Sequence, residues 1–76
     1  MTLHEWLEWK RWTDQQLADA MSVSREAARL WRHGRRMPGA EHIQRIRELT
    51  RGRVKEADLR LAHEARQAKK ATRNVG

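Results

Sequence analysis

The residues best equipped for chemistry cluster between Ser24 and Arg36, where five arginines (Arg25, Arg29, Arg32, Arg35, Arg36) accompany one acid, Glu26. A guanidinium is a permanently charged planar fork of donors that fits a phosphate or the edge of a guanine. The chemistry on offer is recognition of anions. Bond-making chemistry has little to work with. The only two serines, Ser22 and Ser24, flank Val23, and no histidine–carboxylate arrangement surrounds them. His4, His33, His42 and His63 lack the paired spacing of a zinc site, and cysteine is absent. There is no glycine-rich phosphate cradle. The expectation is a non-enzyme without metal, cofactor or small-molecule substrate.

These arginines must be positioned by the stretch Leu17–Gly34, LADAMSVSREAARLWRHG. It reads as two short helices joined by a tight turn. Leu17, Ala18 and Met21 make the apolar face of the first, and Ala28 and Trp31 that of the second. Val23 plugs the turn. Ser24 is placed to accept a bond from an unpaired amide at the start of the second helix. Gly34 follows the last periodic residue and suits a left-handed helix end. Arg25, Glu26, Arg29, Leu30 and Arg32 lie outside. A helix that is apolar inside and arginine-rich outside, held by a supporting helix, suits insertion into a DNA major groove.

The stretch resembles the helix-turn-helix of Cro/CI-type phage repressors, whose pattern is roughly LAxxxGVSxxxVSxWxxG. Leu17-Ala18 stands at the LA, Val23-Ser24 at the VS, and Trp31 and Gly34 at the closing W and G. Looser similarity runs from Leu3 to Arg60, with LTRGRVKEADLR echoing the ends of small prophage Cro-like proteins. There are two departures. Ser22 occupies the place of the turn glycine, which asks a serine to adopt a left-handed backbone at ~1 kcal/mol. Asp14 opens the first helix where Gln is common. The resemblance implies a lambda-repressor-like fold with Ser24–His33 as recognition helix. It assigns Arg25, Glu26, Arg29 and Leu30 to bases, and Gln15, Gln16, Ser24, Arg32, Arg35 and Arg36 to phosphates. Arg25 or Arg29 would fork onto guanine, Glu26 would accept from a cytosine amine, and Leu30 would pack on a thymine methyl.

The rest of the chain is read as a frame for that unit. Seventy-six residues with a net charge of +7 make one small basic domain, and small domains bury modest cores. The charge favours a polyanionic partner, nucleic acid before an anionic membrane. No apolar run is long enough to span a bilayer, and the N-terminus lacks signal-peptide order. A cytoplasmic location is expected. Thr2–Trp12 reads as a first helix with a Thr2–Glu5 capping box and Leu3, Trp6 and Leu7 in the core. Trp12 would close the core, and Trp9 is either a surface residue or an oligomer contact. Thr13 caps the second helix. Gln15 and Gln16 sit at its exposed start, as solvated residues or phosphate donors. Pro38-Gly39 mark a turn, leaving Arg35 and Arg36 on a loop. Ala40–Thr50 reads as a helix with Ile43, Ile46 and Leu49 inside, and Arg45 and Arg51 as weaker phosphate candidates. Val54 either packs ahead of the next helix or forms one strand of a dimer pairing. Glu56 to about Lys70 is helix-forming, with Leu59 and Ala62 toward the core. Leu61, Ala65 and Ala68 lie on a second flank.

The expectation is therefore an all-α, compact five-helix domain over 1–65, followed by a basic tail over 66–76 that frays by Thr72. Its expected role is sequence-specific binding of double-stranded DNA as a homodimeric regulator, a repressor acting by promoter occlusion. The alternatives are an antitoxin or adaptor-type interaction module and a basic RNA- or membrane-surface-binding protein.

Overall fold

The computed structural model describes the backbone of residues 1–75 and the side chains of residues 1–68. Five helices follow one another: α1 (Leu3–Lys10), α2 (Asp14–Met21), α3 (Arg25–Arg32), α4 (Ala40–Leu49) and α5 (Glu56–Val75). No strand occurs among the described residues. None of the helices is long and apolar enough to cross a membrane.

The starts of the first three helices are encoded locally. The Thr2 hydroxyl accepts from the Glu5 amide while Glu5 accepts from the Thr2 amide, a reciprocal cap. Thr13 and Gln16 repeat the arrangement at α2, with the Thr13 amide donating to Gln16 Oε1 at 2.7 Å. Ser24 accepts from the Ala27 amide at 3.1 Å and starts α3. The ends share a different device. Arg11 (φ 60°), Ser22 (φ 56°), Gly34 (φ 71°) and Arg51 (φ 55°) turn left-handed just after α1 to α4. The turn lets amides beyond the helix reach back to its last carbonyls, as Val23 does to Ala18 O at 3.0 Å and Arg35 does to Leu30 O at 2.9 Å. Ser22 thus adopts the conformation its place in the turn demands.

This device corrects two boundaries. Helix α1 stops at Lys10 instead of Trp12, because the left-handed Arg11 reverses the chain. The reversal swings Trp12 back onto Trp6, edge to face at 5.2 Å between ring centroids. Helix α4 stops at Leu49, and Thr50 turns inward. The Thr50 hydroxyl donates to Ile46 O at 2.8 Å and accepts from the Val54 amide at 3.1 Å, so a buried polar group is satisfied and the loop is fixed.

The core is contiguous. Leu3, Trp6 and Leu7 from α1 meet Leu17, Ala18 and Met21 from α2, Ala28 and Trp31 from α3, Ile46 from α4 and Leu59 from α5. Val54 is fully buried in the same cluster, so it packs ahead of α5 and is not an edge for strand pairing. Val23, Ile43, Leu49 and Trp12 seal the margins, half-buried.

The start of α5 is seated by a close approach. A Cβ on Gly34 would lie 2.6 Å from the Ala62 carbonyl oxygen, so only glycine lets the two backbones meet. Beside that contact His63 Nδ1 donates to Gly34 O at 3.0 Å. From Glu64 to Ala68 every side chain is exposed, and Leu61 is 61% exposed. The helix continues past Thr72, where fraying is expected from composition. The side chains of Lys69, Lys70 and Arg73, assigned to a basic tail, lie outside the described residues.

Candidate nucleic-acid interface

Helix α3 is the most polarised element of the chain. Its inner face is Ala28 and Trp31, both buried; its outer face carries Arg25 and Glu26, both exposed, with Arg29 and Leu30 half-exposed. Helix α2 and the three-residue turn Ser22–Ser24 hold it from behind. The four residues assigned to bases thus share one accessible surface.

Two of them are already paired. Arg29 forks onto Glu26, Nη2 to Oε1 at 2.9 Å and Nε to Oε2 at 3.3 Å. The spacing of three residues puts both on one helical strip. The hydrogen bonds and charge of Arg29 hold the Glu26 carboxyl below the usual carboxylate range. Arg29's guanidinium is raised reciprocally. In the free protein the donor fork that would meet a guanine is closed on its neighbour. Base contact by Arg29 requires this exposed pair to open, which is inexpensive because exposed pairs are weak.

The phosphate assignments divide. Arg35 and Arg36 are exposed on the loop after α3 and have no carboxylate partner among the described residues. Ser24 accepts the Ala27 amide with its oxygen, which leaves its hydroxyl proton to donate elsewhere. Gln16 has its amide oxygen fixed by the Thr13 cap, so its Nε2 donors point away from that cap. Gln15 donates Nε2 to Asp19 at 2.9 Å. Arg45, a weaker candidate, reaches back to Ala20 O at 3.4 Å.

Arg32, assigned to a phosphate, is engaged within the protein. Its side chain is only 14% exposed and turns inward. Nη1 donates to Asp14 at 2.9 Å, Nη2 to Glu8 at 3.0 Å and Nε to His4 Nδ1 at 3.0 Å. The guanidinium therefore joins α1, α2 and α3, with each of its three nitrogens donating to one of these partners. Asp14, the departure from the Cro/CI pattern, is the carboxylate that draws it in. Partner and arginine lie 18 residues apart, which no local spacing rule reveals.

His33 caps the end of α3 beside this cluster, its ring 5.6 Å from that of His4. Partial burial, then the charges of Arg32 and His4, push its pKa below the ordinary histidine value. A protonated His33 next to Arg32 is thus disfavoured.

One feature had a readable signal that was given another role: Thr13-x-x-Gln16 is the capping-box pattern itself. Trp9 lies on the surface, 54% exposed beside Arg53. No protein family, curated protein or solved structure matches the chain at a significant level.

Proposed function

We propose that the chain is a sequence-specific double-stranded DNA-binding regulator, built on α2, the Ser22–Ser24 turn and α3 as a helix-turn-helix. The observation that carries this reading is the outer face of α3. Arg25, Glu26, Arg29 and Leu30 share one accessible surface on a helix whose other face is buried, with Arg35 and Arg36 exposed just beyond. A net charge of +7 supports the same partner. Arg25, Glu26, Arg29 and Leu30 read base edges. Ser24, Arg35 and Arg36, with the Gln16 amide, hold phosphates, while Arg32 keeps the frame together.

An α3 of eight residues is about 12 Å long and faces about three or four base pairs. Such a short contact gives little discrimination. A homodimer on a palindromic site, with half-sites about 34 Å apart, supplies the rest. In this reading repression proceeds by occupying a promoter, as the resemblance to Cro/CI-type repressors implies.

Selection of bound sequences from random DNA tests this reading directly. The expected outcome is a short palindromic motif. On that motif Arg29→Ala costs ~1–3 kcal/mol and relaxes one base position. An unenriched pool, or equal weakening on all sequences, refutes sequence readout through α3.

A further inference from the structure

A second surface lies away from α3, between α1 and the α4–α5 linker. It is an open cleft of about 430 Å³. Trp6, Trp12 and Leu49 form its apolar floor, and Trp9, Lys10, Arg51 and Arg53 form its rim. Trp9 is 54% exposed, an unusual position for the largest apolar side chain. The Arg53 guanidinium lies 4.7 Å from the Trp9 ring centroid and Lys10 Nζ lies 5.5 Å from it. None of the three rim cations has a carboxylate partner among the described residues, and no acid lines the cleft.

The rim is built, not frayed. Thr50 clamps the linker from below through Ile46 O and the Val54 amide, and Val54 anchors it in the core. Arg51 and Gly52 follow in left-handed conformations, φ 55° and 79°, which present Arg51 and Arg53 from a fixed loop. Fixed donors bind at a lower entropic cost than mobile ones.

We propose that this cleft docks an acidic peptide segment of a partner protein, with an apolar or aromatic side chain anchored on the Trp6–Trp12–Leu49 floor. Charge complementarity selects this occupant. A second copy packed on the same patch about a two-fold axis sets cation against cation, since no acid lines the cleft. A small molecule would be enclosed on one side only, whereas small-molecule sites wrap most of their ligand. A stacked nucleobase needs a free indole face, and Arg53 lies over Trp9. An acidic peptide satisfies Lys10, Arg51 and Arg53 together while its anchor covers the apolar floor. Trp and Arg are the residue types that dominate such contacts. The surface shares no residue with the proposed DNA face, so each stands or falls alone.

The test uses a short fluorescein-labelled peptide of Asp and Glu around a Phe-Leu pair, its neutral isostere with Asn and Gln in place of the acids, and a labelled oligothymidylate. The acidic peptide is expected to bind the full chain. Trp9→Ala and Arg53→Glu should each weaken it at least about tenfold, as truncation of an anchor does. Leu61→Ala, also an exposed apolar position, should leave it unchanged. In NMR spectra the indole N–H signals of Trp9 and Trp12 should move and that of Trp31 should stay. Folding of each variant is checked by its unfolding midpoint, since Trp9 and Arg53 are exposed and contribute little to the core. Equal binding of the neutral isostere, insensitivity to Trp9→Ala, or Trp9-dependent binding of the oligothymidylate in preference to the peptide would overturn the proposal.

Discussion

Replacing Arg32 by Met separates a structural arginine from a DNA-binding one. Met keeps much of the aliphatic stem and removes the guanidinium. The bond to Asp14 is the strongest of the three, at 2.9 Å between side chains only 14% and 21% exposed. Hydrogen bonds to charged groups contribute ~1.5–3 kcal/mol when shielded in this way. The Glu8 arm ends on a carboxylate that is 64% exposed, so screening leaves it ~0–1 kcal/mol. The His4 arm is an ordinary bond to a ring nitrogen. Because the three arms share one group they are not additive, and Arg32→Met should destabilise by ~2–3 kcal/mol. For a domain of this size that lowers Tm by ~8–24 °C. Urea unfolding followed by tryptophan fluorescence measures it. Asp14→Asn closes a double-mutant cycle with an expected coupling of ~1–2 kcal/mol, which separates the pair from Asp14's own favourable position in the first turn of α2. On DNA, in conditions where both proteins stay folded, the slope of log K against log salt should not change. A loss of stability within ~0.5 kcal/mol, the range of ordinary surface changes, would refute the clamp. A slope lowered by ~0.9 would return Arg32 to a phosphate.

Other outcomes follow from the same geometry. Arg36→Ala should lower that salt slope by about one, since Arg36 is exposed and free of carboxylates; an unchanged slope counts against phosphate contact there. Gly34→Ala should cost at least ~2 kcal/mol, from the left-handed backbone and the collision with the Ala62 carbonyl. Faster amide exchange across Leu59–His63 would accompany it, and protection equal to wild type would show that α5 does not rest on Gly34. Ser22→Gly should stabilise by ~0.5–1 kcal/mol by relieving a serine at φ 56°; a destabilised variant would show that the turn carries no strain. His33 binds its proton less readily in the folded chain than in the unfolded one, whose value is about 6.5. Its contribution to stability is therefore full above that pH and declines as pH falls toward the lower folded value. Unfolding midpoints across this range should drop with acid, and less steeply in His33→Gln; identical profiles for the two proteins would exclude His33 as the cause.

Much of the frame was legible because it is local. The Thr2–Glu5 cap, the Ser24 cap, the left-handed Ser22 and Gly34, and the core stripes on α1, α2 and α3 all follow from spacings of three or four residues, within one turn of helix. The same holds for the outward set Arg25, Glu26, Arg29 and Leu30, since burying Ala28 and Trp31 puts these positions on the other side. Local spacing also makes Glu26 and Arg29 neighbours, but it does not say that the two close into a forked pair.

What the tertiary structure alone decided concerns long side chains and chain reversals. Arg32 meets Asp14, Glu8 and His4 across 18, 24 and 28 residues, and an arginine on a basic helix gives no sign of which way its flexible stem turns. The side of α3 that it joins is set by how α1 packs, so one of the five arginines assigned to anions is engaged within the frame instead. The left-handed Arg11 shortens α1 and brings Trp12 onto Trp6, and the Thr50 clamp holds the linker from which Arg53 reaches Trp9. Gly34 shows both levels in one residue. Its place after the last periodic position of α3 foretells the positive φ, but its need to lack a Cβ against Ala62 exists only once α5 has docked. Periodicity specifies which face of a helix is buried; which distant group a charged or aromatic side chain meets depends on the relative placement of helices, and that is settled by packing of the whole core.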